Sequence, residues 1–176
     1  MLDPKMEKAL NAQINAEHYS AFLYLAMAAQ FADLGMPGGQ QWMTTQFKEE
    51  LVHAQVFFDY VIERGGCAKL ETIAKPATKW TSGTKMFEDA YAHEQHVTSL
   101  IHDMASLALE LKDHATYQFL QWFIAEQVEE ESTASDFLQK FKLAEKSAAG
   151  LYQLDKELGA RVFASPSVYV WEGAAP

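Results

Sequence analysis

Two short spacers and one long one separate four helical stretches of this sequence, and that pattern leaves few topologies open. Apolar residues recur at helical spacing over about residues 4–33, 39–64, 84–112 and 114–143. Asp3 followed by Pro4 reads as an N-cap and a first helical residue, where the missing N–H costs nothing. "DLGMPGGQ" ends the first stretch, Gly65-Gly66 the second, and Asp113 is a candidate cap for the fourth. Short spacers make the first pair and the last pair antiparallel neighbours. The middle spacer, "GCAKLETIAKPATKWTS", is far longer. A helix of ~28 residues is ~42 Å long, and an extended link of this size spans it at ~3.3 Å per residue. A structureless link that long is explained by a crossover returning to the other end of a bundle. The expected fold is therefore all-α: an up-down-down-up four-helix bundle with one long crossover. A short fifth amphipathic helix follows over about 148–159. The tail 160–176 reads as irregular, with a β-like alternation only in "SVYVW", and no role is assigned to the part after Arg161.

With 176 residues and 49% hydrophobic content, the chain suits a single domain, 1–176, with a sizeable core. Each helical stripe of that core is interrupted near its middle by a carboxylate. The first reads Leu10, Ile14, Glu17, Ala21, Tyr24, Ala28, Phe31; the second reads Met43, Phe47, Glu50, His53 or Ala54, Phe57, Val61. The third reads Phe87, Tyr91, Glu94, Val97, Ile101, Met104; the fourth reads Leu120, Ile124, Gln127, Glu130 or Glu131, Ala134, Leu138, Phe141. In the bundle just derived, Glu17, Glu50, His53, Glu94, Gln127 and Glu130 all fall close to their helix midpoints. At 1.5 Å per residue they share a slab of only ~6–9 Å.

Four carboxylates in one layer of a core are untenable alone, because burying each ion costs several kcal/mol and like charges add repulsion. Two divalent cations resolve both problems, matching four negative charges with four positive. Glu50 and His53, three residues apart, lie on one helix face, so the carboxylate can bridge while the imidazole ligates. Carboxylates with one imidazole and no thiolate suit iron, manganese or zinc. A redox-active pair favours iron, and ligand type leaves zinc open.

At these residues the chain resembles the bacterial non-haem ferritins. The resemblance rests on "LNAQINAEHYSAFLYLAMA", "EELVHAQVFFDYVIERGG", "AHEQHV" and "FLQWFIAEQVEEE", and it covers nearly the whole chain. It implies iron storage and detoxification in a hollow shell of 24 subunits, with a ferroxidase centre in each. It also implies that Glu17, Glu50 and His53 hold one iron, with Glu50 bridging, and that Glu94 and Glu130 hold the second. Gln127 stands where this family places an amide beside the diiron pocket. Tyr24 is expected beside the metals, where it bonds a ligand or supplies an electron; the plain alternative is a core tyrosine with a satisfied hydroxyl. Glu49, Glu126 and Glu129, with Glu130, correspond to a third iron site facing the cavity; the plain alternative is a solvated acidic helix face. The haem-containing bacterioferritins resemble this chain but carry two Glu-x-x-His motifs, whereas the fourth helix here has Gln127-x-x-Glu130. Their haem-ligating methionine is also missing, with Val52 in that neighbourhood, so no haem is expected.

A net charge of −10 and a pI of about 5.0 argue against nucleic acid and anionic membranes as partners. Cys67 is the single cysteine, which excludes an internal disulfide and a structural thiolate zinc site. With no apolar signal-like start and no run of ~18 apolar residues, a cytoplasmic protein is expected. His18, His93, His96, His102 and His114 are expected mostly at the surface, and the methionines as core filler. Fe(II), with dioxygen or hydrogen peroxide as oxidant, is the expected substrate set. A rubrerythrin-type peroxidase, a passive iron buffer and a metal-free helical oligomer are the competing readings.

Overall fold

The computed structural model describes residues 2–164. They form α1 (Pro4–Asp33), α2 (Pro37–Glu63), α3 (Gly83–Glu110), α4 (His114–Ala144) and α5 (Ala148–Leu158), with no strand among the described residues. The "SVYVW" segment lies outside them. Local chemistry accounts for the helix starts. The side chains of Asp3, Ser82, Asp113 and Ser147 each accept a bond from a first-turn N–H of the helix that follows. α2 differs. It begins at Pro37, ahead of the expected Gly39, and its cap residue Met36 makes no side-chain bond. Asp155 of α5 supplies it instead, accepting from Gly39 N at 2.8 Å. A Cβ on Gly38 would stand 1.7 Å from the Asp155 carbonyl oxygen, so only glycine lets α5 lie this close to the start of α2.

The first three helices end alike. Gly35 (φ +70°), Gly65 (φ +73°) and Lys112 (φ +56°) adopt the left-handed conformation, and the next residue's N–H reaches back across the last turn. Just before Gly65, Arg64 clamps the α3–α4 turn: its guanidinium donates to both carboxylate oxygens of Asp113 at 3.1 Å.

The link between α2 and α3 runs the length of α1. Asn11 donates to Cys67 O at 3.0 Å, Asn15 donates to Thr72 O at 3.3 Å, and Gln30 accepts from Trp80 N at 3.2 Å. The chain thus returns to the end where α2 began, and α2 and α3 run parallel. This is the up-down-down-up bundle with a crossover. α1 packs along α2 and α3 along α4, while α5 crosses the ends of α2 and α4.

The core has two apolar bodies. One holds Leu10, Ile14, Phe57, Val61, Ile101 and Phe119. The other holds Phe31, Trp42, Met43, Phe87 and Phe141, closed by Leu154 and Leu158 of α5. Each such side chain contributes ~1.5–3 kcal/mol by leaving water. On α4, Phe123 takes the core position expected for Ile124, which is only partly buried, and Phe47 and Tyr91 are likewise half-buried. The helix turns slightly further than the simple stripe suggests, and the bulkier ring stacks on Phe57 at 4.1 Å. Between the two apolar bodies lies a layer of buried polar side chains.

Candidate metal centre

Every helix of the bundle places polar groups in this layer from near its midpoint. α1 contributes Glu17, α2 Glu50 and His53, α3 Glu94, and α4 Gln127 and Glu130; all six are buried. Glu17, Glu50 and His53 each offer a ligand-type atom, and these atoms lie within 4.8 Å of one another. His53 Nδ1 is 3.4 Å from Glu50 Oε2. Across the layer, Gln127 Nε2 donates to Glu94 through its main-chain oxygen and its Oε2, both at 3.2 Å. The Tyr24 hydroxyl donates to the other carboxylate oxygen of Glu94. Tyr24 therefore sits against the acidic layer.

Two amides escaped the sequence reading. Gln13 donates to Glu17 Oε1 at 2.8 Å, and Gln46 donates to Glu50 Oε1 at 3.0 Å. Both stand four residues before the carboxylate they serve, the spacing that stacks side chains on a helix face. A glutamine four residues before a buried glutamate was the available signal. His93 is an exception among histidines expected mostly at the surface. It is partly buried, lies 2.7 Å from Ser20 Oγ, and packs against the rings of Tyr19 and Tyr24. Burial holds its pKa below the ordinary value.

Burial sets the protonation of the layer. It pushes the Glu17 carboxyl up to about 8, helped by the charge of Glu50. It raises Glu130 to about 7, again with Glu50 adding repulsion, and it carries Glu94 well above the carboxylate range. Glu50 is the exception. Burial pushes it up, but the bond to His53 and the imidazolium charge outweigh this and leave it below its ordinary value. His53 moves the other way: burial lowers it, while Glu50, Glu17 and Glu130 together raise it to about 10. The protein thus keeps its acidic core by holding protons on Glu17 and Glu94 and an ion pair between Glu50 and His53. A cation entering here must displace those protons.

The donor set fits that exchange. His53 Nε2 is buried and has no hydrogen-bond partner among the described residues. An orphaned polar nitrogen costs ~1–3 kcal/mol, a cost that coordination removes. Hard carboxylate oxygens with one imidazole suit a redox-active divalent ion such as iron.

Beside the layer, Glu49, Glu126, Glu129 and Glu130 line one open pocket of about 300 Å³, together with Trp122, Thr133 and Arg161. Glu130 belongs to both the layer and the pocket. Burial raises the carboxyls of Glu49 and Glu126. Cys67 is exposed and remote from this chemistry. No helix among the described residues is long and apolar enough to cross a membrane.

Comparison with known proteins points the same way. Residues 7–144 match the model of a ferritin-like domain. The chain is 41% identical over 161 residues to a bacterial non-haem ferritin of Bacteroides fragilis, covering 92% of this chain and 100% of that one. It is 37% identical over 158 residues to a bacterial non-haem ferritin of Escherichia coli O157:H7, covering 90% and 96%. A solved structure of an engineered closed form of the Archaeoglobus fulgidus ferritin superimposes with a TM-score of 0.92 and 49% identity, covering 93% and 100%.

Proposed function

The chain belongs to the ferritin-like family, and from that premise we propose that it stores and detoxifies iron by oxidising Fe(II) at a paired-metal centre inside each subunit. One observation carries this reading: four helices converge Glu17, Glu50, His53, Glu94 and Glu130 on one buried layer around an imidazole nitrogen with no partner. Fe(II) is the substrate. Glu17 and His53 hold one ion, Glu94 and Glu130 the other, and Glu50 bridges them. Gln13 and Gln46 orient Glu17 and Glu50 by their amide bonds, and Gln127 and Tyr24 orient Glu94. Such outer partners set the direction and basicity of the ligands.

Two Fe(II) held ~3.5–4 Å apart give one electron each to a single oxidant. Dioxygen takes two electrons to the level of peroxide, or hydrogen peroxide takes two to water. Carboxylate oxygens stabilise the ferric product. On metal entry Glu17, Glu94 and Glu130 ionise and His53 gives up its imidazolium proton, so that four carboxylates and a neutral imidazole balance two divalent ions.

Glu49, Glu126, Glu129 and Glu130 form a third, weaker iron position in the side pocket, through which product reaches a mineral cavity. Exposed apolar side chains such as Phe22, Leu25 and Leu109 support burial between subunits, as a 24-subunit shell requires. Compartment and cofactor follow the same family reading: a cytoplasmic protein without haem, in keeping with Gln127-x-x-Glu130 on the fourth helix and Val52 on the second.

The test is an anaerobic Fe(II) titration of the metal-free protein, followed by an oxygen pulse. Saturation near two or three irons per chain with fast oxygen uptake is the expected result. Stoichiometric binding without fast oxidation would leave a passive iron buffer. Absence of stoichiometric binding would remove the metal reading altogether.

A further inference from the structure

We propose that the guanidinium of Arg161 is a tethered cation that occupies the acidic side pocket, so that a metal ion can enter the third position only by displacing it. This rests on the third-site reading above.

Three contacts hold Arg161 there. Its guanidinium stacks over the Trp42 ring, 4.4 Å from the ring centre. Nη1 donates to Gln46 Oε1 at 2.7 Å, and Nη2 pairs with the carboxylate of Glu49. A planar fork that stacks and donates in two directions is a task for arginine rather than lysine. The residue reaches this place because α5 ends at Leu158, capped at Gly159, against the start of α2. The chain leaving α5 therefore passes over the pocket. Arg161 lines the pocket with Glu49, Glu126 and Glu129, and among the described residues is its one cationic lining residue.

Its charge is the chemistry the pocket selects for. Carboxylates that would ligate a divalent ion are already partly matched by the guanidinium, and two cations at contact distance repel. A metal ion entering must break the Glu49 pair and move the guanidinium off the tryptophan. Among the described residues no guanidinium or ammonium group pairs with the carboxylates of the paired centre, where an entering metal ion displaces protons alone. Filling is therefore ordered: the buried pair loads first, and the pocket loads once iron is abundant enough to overcome Arg161.

The experiment is calorimetric titration of the assembled, metal-free protein with Zn(II), which binds without redox chemistry. Wild type, Arg161→Ala, Arg161→Gln and Arg161→Lys are compared, with tryptophan emission followed in parallel. The first two equivalents should bind alike in all four. The third should bind about tenfold tighter in the Ala and Gln variants, and within about threefold of wild type in the Lys variant. In wild type the third equivalent should also change the tryptophan emission as the guanidinium leaves Trp42, an extra change absent from Arg161→Ala. Glu129→Ala should remove the third equivalent in either background. Equal third-equivalent affinity in wild type and in Arg161→Ala would overturn the competition while leaving the third site standing. Absence of a third equivalent from every protein, with the first two intact, would overturn the third site and the competition with it.

Discussion

The two sides of the buried layer are built differently. On the α1–α2 side, Glu17, Glu50 and His53 already stand together as a ligand triplet. An ion pair between Glu50 and His53 holds the group in place. On the α3–α4 side the candidate ligands Glu94 and Glu130 are both carboxylates, and the α3 imidazole His93 pairs with Ser20 instead. Glu94 is tied down by neutral donors, the Tyr24 hydroxyl and the Gln127 amide. One half combines the Glu50–His53 charge pair with a proton kept on Glu17, and the other has no charge pair and keeps a proton on Glu94 between neutral donors. The comparison teaches that an acidic core can be kept folded without metal in two ways, and that the halves should respond differently to pH and to mutation.

The largest expected effect is on the stability of the metal-free protein. The Glu17 carboxyl is raised from 4.5 to about 8 in the fold, so the folded chain keeps a proton that the unfolded chain loses. Stability conferred below pH 4.5 is lost as pH rises through 8, by roughly 3–6 kcal/mol per chain from this residue. His53, raised from 6.5 to about 10, acts in the same direction over that higher window. Glu50, lowered from 4.5, opposes only in acid, as it takes up its proton. Thermal melts should therefore show the metal-free protein more stable near pH 5.5 than near pH 8.5. Glu17→Gln should flatten the profile on its acid side. A metal-free profile that rises over this range would refute the proton-storage account.

Next in size is the loss of the bridge. Glu50→Ala, which removes the bridge, and His53→Ala, which takes the imidazole from one ion, should each slow the fast phase of Fe(II) oxidation about a hundredfold or more. Oxygen uptake reads this directly. If either variant kept wild-type rates, the α1–α2 triplet would not be the organising half.

Smaller effects separate the halves. Gln127→Ala removes an orienting amide rather than a ligand, and should weaken the second Fe(II) equivalent by about tenfold while sparing the first. Tyr24→Phe takes one donor from Glu94 and should cost less, about threefold in the same equivalent. Anaerobic titration resolves both. Equal loss of the two equivalents in Gln127→Ala would show that the halves are coupled more tightly than their geometry suggests.

Much of this was legible in the sequence because helices are local. The period of 3.6 residues, the caps at Asp3 and Asp113 and the glycines after α1 and α2 depend on near neighbours alone. Unequal spacers then ordered the helices, since a long link is needed only where a chain must return along a bundle. The inward direction of Glu17, Glu50, Glu94 and Glu130 followed from their place on apolar stripes. The expected rotation of α4 was slightly off, because Phe123 and Ile124 are both apolar and only the stack on Phe57 chooses between them.

What local pattern could not decide was which polar groups meet across the fold. The start of α2 is capped by Asp155, more than a hundred residues away. Glu94 is held by Tyr24 from another helix, and His93 is drawn inward by Ser20. Arg161 belonged to a tail with no assigned role until the fold carried it over the acidic pocket. The sequence alone determined four amphipathic helices, their order and an acidic belt at mid-height, because each is written in spacing along the chain. Only the tertiary structure decided the partners of each carboxylate, and so their protonation, because burial and the charges of other helices set a pKa.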